Sequence, residues 1–398
     1  MRNAGLTTMG AFIPGEPIQD ALADKLIGFL ANKTLCPKEY IEGIQKTGKL
    51  PGYLETNADG WGNQPWYQAW LERMPPKKRE DPFQGAVERR RVCDDPRSIR
   101  ESMHPHPMIP SDAETIAGAL ALVKGSVNPA EIDLVLAHSQ VPDRPLPANV
   151  SLIQHKLQLP NAGAYGIDTC CSSFVTMIEL AESLVRAGVK NKVLIVSSYI
   201  DTHIMDKSDY WSVYTGDAAL AGIVSVVDDG YGYQASCSTS HGSRHDGIIF
   251  QRRSPGLHRQ IGNGPSYAQE FCTFYNPEAC KEIAVNAGDD MRHVALNALE
   301  KANKSIEDVD LLVTHQPVAW APNAWREAIG VAPEKFYHTY EKFGNVASCA
   351  SGLNLHEALR HGRAKPGDHA LITSSGAGEN HISVLERLTP QLIETIAQ

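Results

Sequence analysis

The stretch "EIDLVLAHSQ" (131–140) is echoed by "DVDLLVTHQP" (308–317), and this echo decides the fold. It sets His138 and His315 in register, 177 positions apart. The same offset lays "VLIVSS" (193–198) over "ALITSS" (370–375), and Asp168 over Asn345. Two separated matches at one spacing predict a duplicated fold. Duplication brings equivalent strand ends from both halves toward one pseudo-twofold axis, where a composite active site can form. Residues 1–227 would be the first half and carry a cysteine pair; residues 228–398 would be the second and carry His315 and Asn345.

Outward from the echo, strands and helices alternate. A first strand is expected at residues 4–12. From Ser111 follow the helix "DAETIAGALALVKG", the strand "IDLVLAHS", the helix "NVSLIQHKLQL", the strand "AYGID", the cysteines, and the helix "SSFVTMIELAESLVRAG". The second half repeats the scheme through "DDMRHVALNALEKAN", "VDLLVTH", "PNAWREAIG", a short strand near Phe336, "CASGLNLHEALRHG" and "HALITSS". Apolar strands between helices predict α/β sheets covered on both faces. Residues 46–81, with Trp61, Trp66 and Trp70, form an insertion outside this scheme, readable as a surface cover or as a substrate lid.

The 398 residues suffice for a large core, and 42% hydrophobic with 21% charged residues is an ordinary globular balance. No apolar run reaches the roughly 18 residues of a membrane span, and no secretory leader pattern is visible, so a cytoplasmic protein is expected. A net charge of −9 argues against general nucleic-acid binding. The eight cysteines lack a disulfide framework and any C-x2-C zinc pair, so no metal is expected. Cys36, Cys93, Cys237, Cys272 and Cys280 are expected to be buried small hydrophobes.

The chemistry concentrates in "GIDTCCSSFV", where a strand gives way to a helix. A thiol at a helix start favours the thiolate, the nucleophile of acyl transfer. Cys171 fits better than Cys170, being nearer the helix and opposite the second half. A cysteine at such a junction is more often structural, and His315 changes the balance. His315 ends an apolar strand and can accept a proton or donate to an oxyanion. Asn345, in "FGNVAS", adds a donor that never ionises. Two neutral donors on one oxygen make an oxyanion hole for an enolate. His138 is the structural counterpart of His315. The glycines of "SSGAGEN" permit close backbone approach to the thiol. No G-x-S-x-G elbow is present for a serine hydrolase.

As a set these motifs resemble β-ketoacyl-ACP synthase III and its relatives in the thiolase-like superfamily. The cysteine elbow of that family is matched by Cys170-Cys171-Ser172-Ser173-Phe174, its H-Q strand end by His315-Gln316, and its G-N element by Gly344-Asn345. Its glycine-rich turn is matched by Gly376-Ala377-Gly378, and "VPDRPLPANVSLIQHKL" is similar to its dimer-side segment. The resemblance implies a five-layer αβαβα fold, a homodimer and a Cys171–His315–Asn345 triad. It implies that Cys171 takes an acyl group from a thioester, that His315 and Asn345 stabilise an enolate formed by loss of CO2, and that the backbone N–H groups of Cys171 and Gly378 hold the tetrahedral oxyanion. Acyl-CoA or acyl carrier protein thioesters are then the substrates, with no cofactor. The carrier would dock on Arg89, Arg90 and Arg91, or on Arg252, Arg253 and Arg259.

Departures from the family pattern point to polyketide, fatty-acid-like or other secondary-metabolite biosynthesis in place of a housekeeping starter enzyme. They are Cys170 and Ser173 around the nucleophile, Leu220 closing "GDAAL", "EDPFQG" at residues 80–85, and the insertion. Acyl transfer to an alcohol or amine, a non-catalytic partner subunit and a cysteine hydrolase are the competing readings.

Overall fold

The computed structural model describes residues 2–56, 88–92, 108–144, 146–200, 214–252, 271–274 and 276–397, the side chains of 251–252 and 271–274 excepted. The strands, in chain order, are β1 (Ala4–Phe12), β2 (Tyr53–Thr56), β3 (Glu88–Arg91), β4 (Leu134–Ser139), β5 (Gly163–Gly166), β6 (Lys192–Tyr199) and β7 (Ala218–Val226). Then come β8 (Gly232–Ser240), β9 (Ile249–Arg252), β10 (Phe271–Phe274), β11 (Leu311–Thr314), β12 (Phe336–Tyr337), β13 (His369–Gly376) and β14 (Asn380–Arg387).

Two five-stranded sheets share one topology. The first runs β1-β7-β6-β4-β5 and the second β8-β14-β13-β11-β12. In each, the first two pairings are antiparallel and the last two parallel. The offset of 177 persists in backbone detail. Capping boxes open matching 3-10 turns at Asn128 and Ser305. Left-handed residues recur at Ser126 and Asn303, with φ 50° and 53°, and at Cys170 and Ala347, with φ 54° and 44°.

Strand alternation sorts the core into layers. In β4, Leu134 and Leu136 join a central cluster, whereas Val135 and Ala137 join one on the opposite face. In β13, Ala370 and Ile372 are central and Leu371 faces away. A period of two is what a pleated strand imposes. The central cluster holds the helices Ser173–Arg186 and Ala350–Arg360 between the sheets. The helix Pro110–Lys124 covers the outer face of the first sheet, and Pro277–Lys301 that of the second. The result is the thiolase-like αβαβα stack. Each half also lends the other a hydrogen bond at the axis: Ser197 Oγ donates to Ser348 Oγ at 2.7 Å, and its counterpart Ser374 donates to the Cys171 carbonyl at 3.1 Å.

The part of the expected insertion that is described ends at β2, which pairs with β3; Trp61, Trp66 and Trp70 lie outside the described residues. Among those residues no helix is long and apolar enough to cross a membrane. Cys36 is buried as expected, and so is Cys349, which the expectation omitted. Cys237 and Cys280 are only half-buried. Cys93 and the Cys272 side chain lie outside the described set.

Candidate active site

The cysteine elbow is built by local hydrogen bonds. After β5 ends at Gly166, a 3-10 turn over Cys170–Ser172 runs into the helix Ser173–Arg186. Ser172 Oγ donates to the Thr169 carbonyl and Ser173 Oγ to the Cys170 carbonyl, both at 2.7 Å. The Thr169 N–H donates to Ser173 Oγ at 2.9 Å. Ser173, which stands where the resemblance expects glycine, therefore clamps the turn. With both neighbours clamped, Cys170 is held in the left-handed region, a conformation costly for a side-chain-bearing residue.

The facing wall comes from the second half. His315 follows β11, and its backbone N–H donates to the Thr373 carbonyl at 3.1 Å. Its ring is buried, and Nδ1 has no hydrogen-bond partner among the described residues. Gln316 fixes the loop beside it: its amide donates to the Gly344 carbonyl at 2.7 Å and its oxygen accepts from Asn354 at 2.9 Å. Asn345 is anchored through its backbone N–H to the Tyr214 carbonyl. Its Oδ1 accepts from the Ala347 N–H at 2.8 Å, which leaves the amide N–H2 to donate elsewhere.

Cys170, Cys171, His315 and Asn345 all line one cavity. The turn after β13 closes it. A Cβ on Gly376 would lie 2.2 Å from the Thr169 carbonyl oxygen, so the two backbones touch only because this residue is glycine. That approach brings the Ala377 N–H onto the Cys171 sulfur. Gly378, expected as the second oxyanion donor, follows with φ 118°; the residue whose N–H meets the thiol is its predecessor.

Protonation follows from burial and from the pairing of the thiols, whose sulfurs are 3.8 Å apart. The hydrogen bond from Cys171 holds Cys170 down at about 7 against burial, helped by the Gln140 amide at 3.1 Å. Cys171 is pushed up, first because it donates to Cys170 and then by burial. Burial pushes His315 down to about 3, so its imidazole is neutral at any ordinary pH.

His138 behaves as the structural counterpart: Nδ1 contacts the Ile167 carbonyl at 3.1 Å and Nε2 the Gln140 side chain at 3.2 Å. The first docking cluster is corrected. Arg89 is buried on Glu55, Arg91 is buried against Glu55 and Asp217, and Arg90 pairs with Glu16, so the three tie β3 to the body of the fold. Arg253 and Arg259, and the side chain of Arg252, lie outside the described residues. Residue-by-residue reading missed Gln140, Ala377 and Glu379. All three stand inside stretches already singled out; Ala377 acts through its backbone, so its residue type marked no role within the glycine-rich turn.

Two family profiles match the chain: "3-Oxoacyl-[acyl-carrier-protein (ACP)] synthase III" over residues 165–242, and its C-terminal counterpart over residues 299–388. Over both segments the chain is similar to the β-ketoacyl-ACP synthase III family. The β-ketoacyl-ACP synthase III of Symbiobacterium thermophilum is 28% identical over 272 residues, covering 67% of this chain and 80% of the relative. The solved structure of the Aquifex aeolicus 3-oxoacyl-ACP synthase III superposes with a TM-score of 0.69 at 22% identity, over 97% of this chain and 100% of the other. The priming β-ketosynthase of the R1128 polyketide pathway gives 0.69 at 20% identity, over 98% and 97%. The last two establish likeness of fold.

Proposed function

We propose that this chain is a ketosynthase III-like condensing acyltransferase in which Cys171 is the nucleophile and His315 and Asn345 stabilise an enolate. The observation that carries the reading is the convergence of these three side chains, from two halves of the chain, on one cavity.

In the first half-reaction the Cys171 thiolate attacks an acyl thioester. The tetrahedral oxyanion is held by the Ala377 and Gly378 turn and the Cys171 N–H, and collapse expels the CoA or carrier thiol. In the second, a malonyl-type thioester loses its carboxylate as CO2. The electron pair left behind becomes an enolate, whose oxygen accepts hydrogen bonds from neutral His315 and from the Asn345 amide. Its carbon attacks the acyl-Cys171 carbonyl, a C–C bond forms, the C–S bond breaks, and the β-ketoacyl thioester departs. A low His315 pKa suits a neutral donor, because an imidazolium there would hold the product enolate too tightly to react on. The substrates are thioesters of CoA or of an acyl carrier protein, and the working unit is a homodimer.

A second reading rests on Glu379, whose carboxylate lines the same cavity. Burial alone would raise its pKa, but His381 and Arg244 hold it below the usual range. An ionised carboxylate beside an acyl-cysteine could serve as the base for an alcohol or amine acceptor, giving an ester or amide without CO2.

Intact-protein mass spectrometry after incubation with a panel of acyl thioesters tests the assignment. Wild type and Cys170→Ala should each gain one acyl group, and Cys171→Ala none. An adduct that survives in Cys171→Ala and disappears in Cys170→Ala would transfer the nucleophile to Cys170. CO2 release from a malonyl thioester separates condensation from simple transfer.

A further inference from the structure

Beside the cavity lies a cluster that the condensation reaction does not use. His241 follows β8, His381 stands in β14 opposite Thr239, and Asp290 projects from the helix Pro277–Lys301. His241 Nε2 is 3.1 Å from Asp290 Oδ1, and His381 Nε2 is 3.7 Å from Asp290 Oδ2. The imidazole centroids are 5.7 Å apart with planes tilted by 60°. One ligand atom from each of the three residues falls within 4.8 Å of the other two.

His381 is the anomaly. Its side chain is fully buried, yet neither ring nitrogen makes a hydrogen bond among the described residues. The Glu379 Oε1 atom lies 3.3 Å from Nε2 but is not aligned for one. A buried imidazole whose Nδ1 has no partner among the described residues and whose Nε2 meets only the Glu379 and Asp290 carboxylates at 3.3 and 3.7 Å replaces little of its lost hydration, which costs free energy.

We propose that His241, Asp290 and His381 form a binding site for a first-row divalent cation, zinc in the first instance. Zinc bonds to imidazole nitrogen and carboxylate oxygen are about 2.0–2.2 Å, so neighbouring ligand atoms of a tetrahedral site stand roughly 3.3–3.5 Å apart. The 3.1 and 3.7 Å separations are of that order but run to different oxygens of Asp290, so the carboxylate would straddle the ion or turn to present one oxygen. Two histidines and a carboxylate are a ligand set zinc takes, and three protein ligands leave a fourth position open. Arg244 supplies the outer support that ligating carboxylates need: Nη1 donates to Asp290 Oδ2 at 2.7 Å and to Glu379 Oε2 at 2.9 Å. His241 is a third exposed, which gives the ion a way in. The cation would clip β8, β14 and the helix together behind the turn at residues 376–379, the turn whose Ala377 N–H meets Cys171. It is a positioning site and does not touch the reacting atoms.

The test uses the full-length protein, stripped with a chelator and dialysed against Zn2+, with Co2+ as the optical probe. Wild type should bind one ion per chain, give the visible absorption of four-coordinate Co2+, and melt at a higher temperature with zinc. The double variant Cys170→Ala/Cys171→Ala should bind equally, because the thiols are not ligands. His241→Ala, at a partly exposed position that tolerates truncation, and His381→Ala should each weaken binding at least 100-fold and abolish the thermal shift. Circular dichroism checks that both variants are folded. Stoichiometric binding that survives in the folded histidine variants, that vanishes in the cysteine variant, or that wild type lacks would overturn the site. None of these readouts depends on the condensation chemistry, so the two proposals fail separately.

Discussion

Replacing His315 by Gln and lowering the pH perturbs the group on which the enolate mechanism depends most. In the unfolded chain a histidine takes up its proton near 6.5, whereas burial holds His315 down to about 3. Between those values the unfolded state binds a proton that the native state refuses. The sign is therefore fixed: stability falls as pH falls below 6.5, and the loss saturates only near 3. Each pH step in that window costs about 1.4 kcal/mol. At pH 5.0 the accumulated cost is about 2 kcal/mol, and at pH 7.5 it is negligible. Guanidinium unfolding of both proteins at the two pH values measures this. Between pH 7.5 and 5.0 wild type should lose about 2 kcal/mol more than His315→Gln, since all other titrating groups are common to the pair. Equal losses would mean that His315 accepts a proton in the folded protein. Its role as a neutral enolate donor would then be refuted together with the burial argument.

The turn and the amide give two further expectations. Gly376→Ala puts a methyl 2.2 Å from the Thr169 carbonyl oxygen and 3.0 Å from the Ser172 nitrogen, so the strand end must retreat from the elbow by roughly an ångström. Acylation of Cys171, timed by mass spectrometry, should slow by about 10²-fold, the usual scale for such a misplacement, with stability lowered by only about 1–3 kcal/mol. An unchanged rate would show that the turn does not position the oxyanion donors. Asn345→Asp keeps the oxygen that holds the Ala347 N–H but replaces the amide donor with a carboxylate oxygen. CO2 release should drop by about 10²–10³-fold while acyl-Cys171 accumulates, and loss of the acyl adduct instead would assign Asn345 to the first half-reaction.

Much of the architecture was legible before any coordinates. A duplicated α/β chain writes itself as periodic apolar strands and a constant offset, because each strand must bury the same faces in both copies. That is why β4 and β11, and β6 and β13, stand where the echo put them. The candidate triad was legible for the same reason, since strand ends and helix starts are local features and equivalent ends meet at an axis. The protonation state of the thiols was not. It depends on a 3.8 Å contact between adjacent sulfurs, on the Gln140 amide and on the Ala377 N–H brought in from the other half. Nor could charge alone place Arg89 and Arg91, which look like a basic rim in the sequence and are buried ion-pair anchors in the fold.

By itself, then, the sequence determined the layers, the duplication and which residue types meet at the axis, because periodicity and local turn chemistry carry that information along the chain. Tertiary structure alone decided how closely the two thiols meet, which backbone N–H faces Cys171, and that His241, Asp290 and His381 converge. Those are properties of distance and desolvation between segments far apart in the chain, and no spacing rule encodes them.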